Sequence, residues 1–228
     1  MNINQLKRSA CTKLFNPRTI LGTKLAAWWN CKTQSNLGFG SGYNVSQVND
    51  LSGNGKHATQ ASGSAQPDYN PSKKCITFSG NDFLNTPLTF SGSYGIFARC
   101  NNTKNDGNSS SLVCSTVVGE MGTAFIGFQS YKFGGTAGNI VWSGETQQNT
   151  INVYGLEVNS SASDYLYIGS NKYTVNAGNT GGSVVTIGKS KDSSSLFVGD
   201  VYEIVTTKAA LTSAEVASLI RYLNGVVT

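Results

Sequence analysis

The chain has 228 residues, only 13% of them charged, and it contains 26 glycines. This length suits one large all-β domain, and the low charge excludes disordered and coiled-coil proteins, which need many more charged residues. The net charge is +5, but the basic residues are scattered in single positions and in pairs such as Lys73-Lys74. We therefore expect no nucleic-acid partner, because a nucleic-acid-binding surface needs a cluster of basic side chains.

The five cysteines include no C-x-x-C pair, so neither a zinc site nor a disulfide framework is predicted. Residues 1–19 lack the continuous apolar core of a secretory signal peptide. No apolar run approaches the length of a membrane span, and we expect no membrane partner. A neutral, polar surface without an export signal favours assembly in a cytoplasm and release within a particle. The alternative is an extracellular protein whose signal has been removed.

The first 22 residues are predicted to form an arm separate from the domain of residues 23–228. Ile3 and Leu6 stand at helical spacing, and Asn16-Pro17 then breaks the chain. Two interpretations remain open for this segment. It anchors the chain on a neighbouring subunit or particle, or it packs as an ordinary element on the edge of the domain.

The segment Leu25 to Asn30 is predicted to be the first core strand, with Trp28 and Trp29 on opposite faces. The segment Tyr94 to Cys100 is also predicted to be a strand, with Tyr94, Ile96, Ala98 and Cys100 on one face. Further short apolar segments, separated by Gly, Ser and Asn turns, continue to Val205. Ten or more such strands are typical of a β-sandwich or jelly roll. No amphipathic helix separates them, which argues against a parallel α/β fold.

One helix is predicted, over residues 213–223. Thr212 is its N-cap, and Glu215 follows three residues later, which is the spacing of a capping box. Gly225 supplies a left-handed C-terminal cap. Its apolar side consists of Val216, Leu219, Ile220 and Leu223. This side predicts that the helix covers an open end or edge of the sandwich.

Three motifs in this order resemble the concanavalin-A-like, laminin-G-like jelly-roll superfamily, which also occurs in bacteriophage virion and adhesin proteins. They are the Asp-Leu-Ser-Gly-Asn-Gly turn at residues 50–55, the strand and Gly-Asn-Asp turn at residues 75–84, and the strand at residues 199–205 that precedes the helix. The resemblance covers residues 25–224. It implies an all-β, two-sheet antiparallel sandwich with a short C-terminal helix, a fold that hosts lectins, glycosidases and scaffolds alike.

Glycosidases of this superfamily carry a Glu-x-Asp-x-x-Glu strand, and the sequence has no such motif. The nearest acidic pair is Asp200 and Glu203, whose odd spacing predicts opposite faces of a strand and no joint action on a glycosidic bond. The single histidine, His57, lies in a turn and is accompanied by no Gly-x-Ser-x-Gly elbow. We therefore expect a non-enzymatic protein with no catalytic residue.

Calcium is the one cofactor that the resemblance suggests. Asp50, Asn54 and Asp82 lie in two turns that it places near the sandwich edge, and calcium prefers carboxylate and amide oxygens. The alternative is that Asp50 and Asn54 fold back onto backbone N–H groups and shape the turn.

Carbohydrate binding needs an aromatic surface with polar neighbours on a rigid sandwich. The candidate aromatic residues are Tyr43, Tyr131, Trp142 and Tyr173. The alternative for Trp142 is the core, and the alternative for Tyr131 is an ordinary strand.

Together these patterns predict a non-enzymatic virion surface protein of a bacteriophage, namely a capsid decoration, a fibre or a tail adhesin. It would bind host cell-surface glycans, attach to other virion proteins through the N-terminal arm, and form a homo-oligomer. The alternatives are a free carbohydrate-binding module of a secreted protein, a purely structural scaffold, and a glycoside hydrolase.

Overall fold

A computed structural model describes residues 15–104, 106–115, 124–183, 185–190 and 195–225. Within these ranges the chain forms two antiparallel sheets around a shared core, with two helices on the outside of one sheet. The predicted all-β sandwich with a short C-terminal helix is confirmed. Among the described residues, no helix is long and apolar enough to span a membrane.

Sheet A contains eight strands of the described chain, numbered here in chain order. They are β1 (Leu25–Asn30), β5 (Asp68–Asn70), β6 (Cys75–Ser79), β8 (Tyr94–Asn102), β13 (Asn152–Val158), β14 (Asp164–Ile168), β15 (Asn171–Val175) and β17 (Val198–Thr207). Their order is β15-β14-β13-β8-β17-β6-β5, and β1 pairs with β17 on the side that β6 also uses.

Sheet B contains nine strands of the described chain, in the order β12-β11-β10-β9-β16-β7-β4-β3-β2. They are β2 (Leu37–Phe39), β3 (Val45–Val48), β4 (Ala58–Thr59), β7 (Leu84–Thr86), β9 (Ser110–Ser115), β10 (Phe125–Gln129), β11 (Lys132–Thr136), β12 (Ile140–Thr146) and β16 (Val185–Ile187). Strands β12 and β2 lie at the two ends of this order in sheet B, and β15 and β5 lie at the two ends in sheet A.

The core between the sheets is built from the alternating inward residues that the sequence predicts. Tyr94, Ile96, Ala98 and Cys100 all belong to it and are fully buried. Trp29 also lies there, whereas Trp28 packs on the outer face of sheet A. The prediction that the two tryptophans point to opposite faces is confirmed.

A second apolar layer covers the outer face of sheet A. Helix α1 (Pro17–Leu21) and helix α2 (Ser213–Leu223) pack there on apolar residues of four strands: Phe97, Val153, Tyr167 and Val205. The capping box of Thr212 and Glu215 begins α2, as predicted. The helix lies across a face of the sheet and not at its end or edge, because that face carries apolar side chains that need cover.

Residues 15–22 of the predicted arm pack on the domain. The side chain of Asn16 caps α1, Leu21 enters the outer apolar layer, and the ring of Phe15 lies 6.4 Å from the ring of Tyr222. Residues 1–14 lie outside the described residues, so anchoring by the arm stays a prediction.

Strand β17 contains a β-bulge that overturns the prediction of opposite faces for Asp200 and Glu203. Val201 pairs with Cys100 and Glu203 with Arg99, which leaves Tyr202 as an extra residue. Asp200 and Glu203 therefore point to the same, outer face of sheet A, each preceding a residue of the inner core. The expectation of opposite faces was wrong because it assumed unbroken alternation.

Candidate functional site

At one end of sheet B, the strands β10, β11 and β12 carry aligned rows of residues on the outer face of the sheet. Phe128 and Phe133 point into the core, so the residues that alternate with them face outwards. The strand register aligns Gly127 with Gly134 and Gly134 with Trp142. The next row along the strands consists of Gln129, Lys132 and Thr146. We call these two rows the edge platform.

The ring of Trp142 packs against the bare backbone of its neighbouring strand at Gly134. A Cβ atom on Gly134 would meet the Cε3 atom of the Trp142 ring at 2.2 Å, so only glycine allows this approach. The ring of Phe125 lies in the same way over Gly127 and meets Trp142 edge-on, with ring centres 6.1 Å apart. The indole is thus fixed by packing.

Part of the Trp142 ring stays open to solvent. Phe125 is buried, but Trp142 is only half-buried, and its indole N–H donates to no group of the described residues. The ring combines a fixed position, an exposed apolar surface and a free hydrogen-bond donor. Trp142 therefore does not belong to the core, which was the alternative given for it in the sequence analysis.

The open edge of the sandwich beside β12 holds two more predicted aromatic residues. Tyr173 of β15 donates its hydroxyl to the exposed carboxylate of Glu145 at the end of β12. This hydrogen bond raises the pKa of Tyr173 above its usual value. The amide of Gln147 donates to the same carboxylate at 3.4 Å, and its backbone N–H donates to the Tyr131 carbonyl at 2.6 Å.

Three of the four predicted aromatic residues therefore lie on or beside β12, and Tyr43 does not. Tyr43 lies between β2 and β3 at the other end of sheet B and is 54% exposed. Its ring is 6.5 Å from the ring of Tyr69, and its carbonyl accepts the Tyr69 N–H at 2.9 Å. It forms a separate exposed patch.

The turn at residues 50–55 is organised by the carboxylate of Asp50. One oxygen accepts the N–H groups of Trp28 and Ser52 at 3.0 and 2.8 Å. The other accepts the Ser52 hydroxyl and the Lys56 N–H at 2.8 and 2.9 Å. Asn54 donates its amide to the carbonyls of residues 25 and 26, both at 3.0 Å. The contacts of Asp50 match the turn-shaping alternative of the sequence analysis, whereas Asn54 binds backbone carbonyls and not N–H groups.

Asp82 lies in a different turn, where one oxygen accepts the N–H and hydroxyl of Ser79 at 2.6 and 2.8 Å. Among the described residues, no three His, Cys, Asp or Glu side chains form a group suited to a metal ion. Asp50, Asn54 and Asp82 are thus engaged with the protein's own groups, and calcium binding by them stays a prediction.

Asp50 is expected to make stability depend on pH. Burial opposes its ionisation, but the N–H groups of Lys56 and Ser52 outweigh burial and lower its pKa. A lowered folded-state pKa contributes stability above the unfolded value of about 3.9, and the contribution is lost as the pH falls through the folded value. At pH 7 we expect Asp50→Asn to lower the free energy of unfolding by about 1–3 kcal/mol.

Urea denaturation of the wild type and of Asp50→Asn at pH 7 and pH 3 checks this expectation. The difference in unfolding free energy should shrink at pH 3, because this pH lies below the unfolded-state pKa of about 3.9 and protonation of the unfolded chain then favours unfolding of the wild type. An equal difference at both values would contradict an ionised Asp50 as the centre of the turn.

The carboxylates of Asp200 and Glu203 are occupied within the protein. Asp200 accepts the Thr77 hydroxyl at 2.8 Å and pairs with Lys73 at 2.9 Å. Glu203 is fully buried, accepts the indole N–H of Trp28 at 2.6 Å, and pairs with Lys32 at 2.5 Å. Although the bulge places both carboxylates on one face, a sugar could reach Glu203 only by displacing these groups.

Several residues of the edge platform have no counterpart among the predicted site residues. They are Gly127, Gln129, Lys132, Gly134 and Thr146. The one signal for them in the sequence is glycine inside two apolar strands, at positions 127 and 134, because such glycines mark a close approach of another group.

Comparison of the sequence with protein-family models and with curated proteins finds no match. Solved structures do match in fold. Trypanosoma rangeli sialidase in complex with sialic acid aligns with a TM-score of 0.65 and 12% identity, over 99% of this chain and 40% of that one. The ligand-binding domain of botulinum neurotoxin serotype D, in complex with N-acetylneuraminic acid, aligns with a TM-score of 0.61 and 9% identity, over 91% of this chain and 53% of that one.

A GH54 α-L-arabinofuranosidase aligns with a TM-score of 0.57 and 14% identity, over 81% of this chain and 51% of that one. The chain spans about a third to a half of the length of the solved structures it matches. At these identities the likeness concerns the fold alone. This chain therefore shares its β-sandwich fold with portions of sialidases, arabinofuranosidases and toxin ligand-binding domains.

Proposed function

We propose that this chain is a non-catalytic carbohydrate-binding protein that holds cell-surface glycan on the edge platform. The observation that carries the proposal is Trp142, packed against Gly134 and Phe125 with part of its ring and its indole N–H open. Sugar-binding sites on rigid sandwiches need such an apolar surface beside a few fixed polar groups.

The polar groups are supplied by the neighbouring row. Gln129 offers an amide, Lys132 an ammonium group and Thr146 a hydroxyl, all on the same face as Trp142. Neighbouring strands lie about 4.8 Å apart, and residues two apart on a strand are separated by about 6.8 Å. Two rows across three strands therefore cover the area of one or two hexose rings.

The fold neighbours support the ligand class. The sialidase was solved in complex with sialic acid and the neurotoxin domain in complex with N-acetylneuraminic acid, so proteins that contain a sandwich of this shape bind sugars. The sialidase and the arabinofuranosidase are glycoside hydrolases. We nevertheless propose a non-catalytic role, because Asp200 and Glu203 already hold cationic partners and Glu203 is fully buried.

The variant Trp142→Ala tests the platform. We expect it to weaken glycan binding by about 30-fold, equivalent to about 2 kcal/mol, because the central aromatic anchor is lost. Ligands are found first by screening the wild type on an array of bacterial, plant and sialylated glycans, and affinities are then measured by calorimetry. The matched control is Tyr43→Ala, which removes an exposed aromatic residue far from the platform and should leave the affinity unchanged.

Two results would overturn the proposal: a wild type that binds no glycan of the array, or a Tyr43→Ala variant that loses binding while Trp142→Ala keeps it. Repeating the array with a calcium chelator tests the calcium prediction separately. Binding that survives chelation points to the platform alone, and binding that is lost points to the turns of Asp50 and Asp82.

A place on the surface of a bacteriophage particle, as decoration, fibre or tail adhesin, is part of the same proposal. It rests on the neutral, polar composition and on the jelly-roll resemblance. Mass spectrometry of purified particles tests it, since a virion component must copurify with them. A copurifying protein that binds no glycan would be a structural scaffold.

A further inference from the structure

A second concave surface lies on the opposite side of the sandwich, between α2 and the β14–β15 hairpin. It has a volume of about 630 Å³ and is lined by Tyr167, Lys172, Val216, Ala217, Ile220 and Arg221, among others. An adjoining pocket of about 270 Å³ shares Tyr167, Lys172 and Val216 with it. We call the larger cavity the helix groove. Its volume falls within the range of about 300–1,000 Å³ that is usual for small-molecule sites.

The wall of the helix groove is mainly apolar. Val216, Ala217 and Ile220 come from one side of α2, and the ring of Tyr167 faces them from β14. The hydroxyl of Tyr167 already donates to Glu157 at 2.9 Å, so this buried side chain borders the groove with carbon atoms and adds no free hydroxyl to it. The second oxygen of Glu157 accepts the Leu211 N–H at 2.8 Å, which leaves this buried carboxylate with both oxygens engaged.

Two cations line the same groove without a carboxylate partner. The ammonium group of Lys172 lies 3.3 Å from the centre of the Tyr165 ring, and the guanidinium of Arg221 lies 5.8 Å from the centre of the Phe15 ring. Neither takes part in the salt bridges of the described residues, which join Lys24, Lys32, Lys73 and Lys104 to acidic groups. Aromatic contacts orient both cations but leave their charge unpaired.

From this combination we infer that the helix groove binds an anionic amphiphile, an alkyl chain that ends in a carboxylate or phosphate group. The alkyl chain lies against Val216, Ala217 and Ile220, and the anionic group pairs with Lys172 or Arg221. A bare sugar fits less well, because hydroxyl groups facing these residues would lose hydrogen bonds to water without replacement. The inference does not depend on the edge platform, which lies on the other sheet.

Titration calorimetry with decanoate, below its micellar concentration, tests the inference. Decyl glucoside and decyltrimethylammonium carry the same alkyl chain with neutral and cationic headgroups. We expect decanoate to bind at least about tenfold more tightly than either, because only its headgroup forms charge-assisted hydrogen bonds with the groove. The double variant Lys172→Gln/Arg221→Gln should lose this preference.

Two variants make the test specific. Lys208→Gln removes a positive charge from an exposed position outside the groove, and it should leave decanoate binding unchanged. Ala217→Trp adds bulk to an exposed residue of the groove wall and should abolish binding of all three amphiphiles, with the circular dichroism spectrum unaltered. If Ala217→Trp fails to fold, the Lys172/Arg221 variant alone decides, because both side chains are exposed.

Sedimentation with vesicles distinguishes the source of the ligand. Wild-type protein that binds decanoate and also sediments with anionic phospholipid vesicles, when Ala217→Trp does not, takes its ligand from a membrane. Decanoate binding without sedimentation indicates a free amphiphile. Equal affinity for all three headgroups, or decanoate binding that survives Ala217→Trp, would overturn the inference.

Discussion

Replacing Glu203 with alanine is expected to lower the free energy of unfolding by about 3–5 kcal/mol. One carboxylate oxygen of Glu203 accepts hydrogen bonds from the Trp28 indole, the Asn30 amide and the Tyr222 hydroxyl, and the other oxygen pairs with Lys32. This fully buried group joins β1, β17 and α2. Removing the carboxylate leaves these three donors without an acceptor, in a position that water reaches poorly.

The variant Glu203→Gln separates the two parts of this effect. It keeps an acceptor oxygen for the Trp28 and Tyr222 donors but loses the ion pair with Lys32. Because the Lys32 side chain is 29% exposed and can be hydrated, we expect a smaller loss, of about 1–2 kcal/mol.

Urea denaturation of each variant measures these differences, and Glu145→Ala is the matched control. Glu145 is exposed, so its removal should change the unfolding free energy by less than about 0.5 kcal/mol. A Glu203→Ala variant as stable as Glu145→Ala would show that the buried network does not hold α2 to sheet A.

Replacing Trp29 with alanine is expected to cost about 3–5 kcal/mol, the usual range for removing a large buried aromatic side chain. Trp29 is fully buried between the sheets, and its indole N–H donates to the carbonyl of Lys56 at 2.8 Å. The variant therefore leaves a cavity and also releases the end of the turn that Asp50 organises.

Trp142→Ala is the matched control for this variant, since Trp142 is half-buried on the outer face of sheet B. We expect it to cost about 1 kcal/mol in stability, while it weakens glycan binding by about 30-fold. Thermal or urea unfolding ranks the two, and hydrogen exchange of residues 50–56 reports the released turn. A Trp142→Ala variant as unstable as Trp29→Ala would show that Trp142 serves the core and not a ligand.

The predictions that succeeded rest on local patterns. Alternation alone places Trp28 and Trp29 on opposite faces, and the spacing of Thr212 and Glu215 alone defines the start of α2. The bulge at Tyr202 could not be predicted, because an extra residue in a strand leaves no mark in the sequence and depends on how β8 pairs with β17.

The edge platform also could not be predicted from the sequence, because it depends on the register between strands. Gln129 pairs with Lys132 across a two-residue turn in which both Ser130 and Tyr131 have positive φ, of 47° and 66°. Such turns fix the hairpin register, and they are usually recognised by Asn-Gly or Asp-Gly, which this turn lacks. Without that register, nothing in the sequence places Gln129 and Lys132 beside Trp142.

The position of β17 in the middle of sheet A has a consequence for how the chain acquires its structure. This strand pairs with β8 on one side and with both β6 and β1 on the other, yet it is the last strand of the described chain. While the chain emerges from the ribosome, β1, β6 and β8 lack their partner strand. Their unpaired edges can then pair with other molecules. Such distant pairing favours slow folding, on the scale of about milliseconds to seconds, that is completed only after synthesis has passed residue 207.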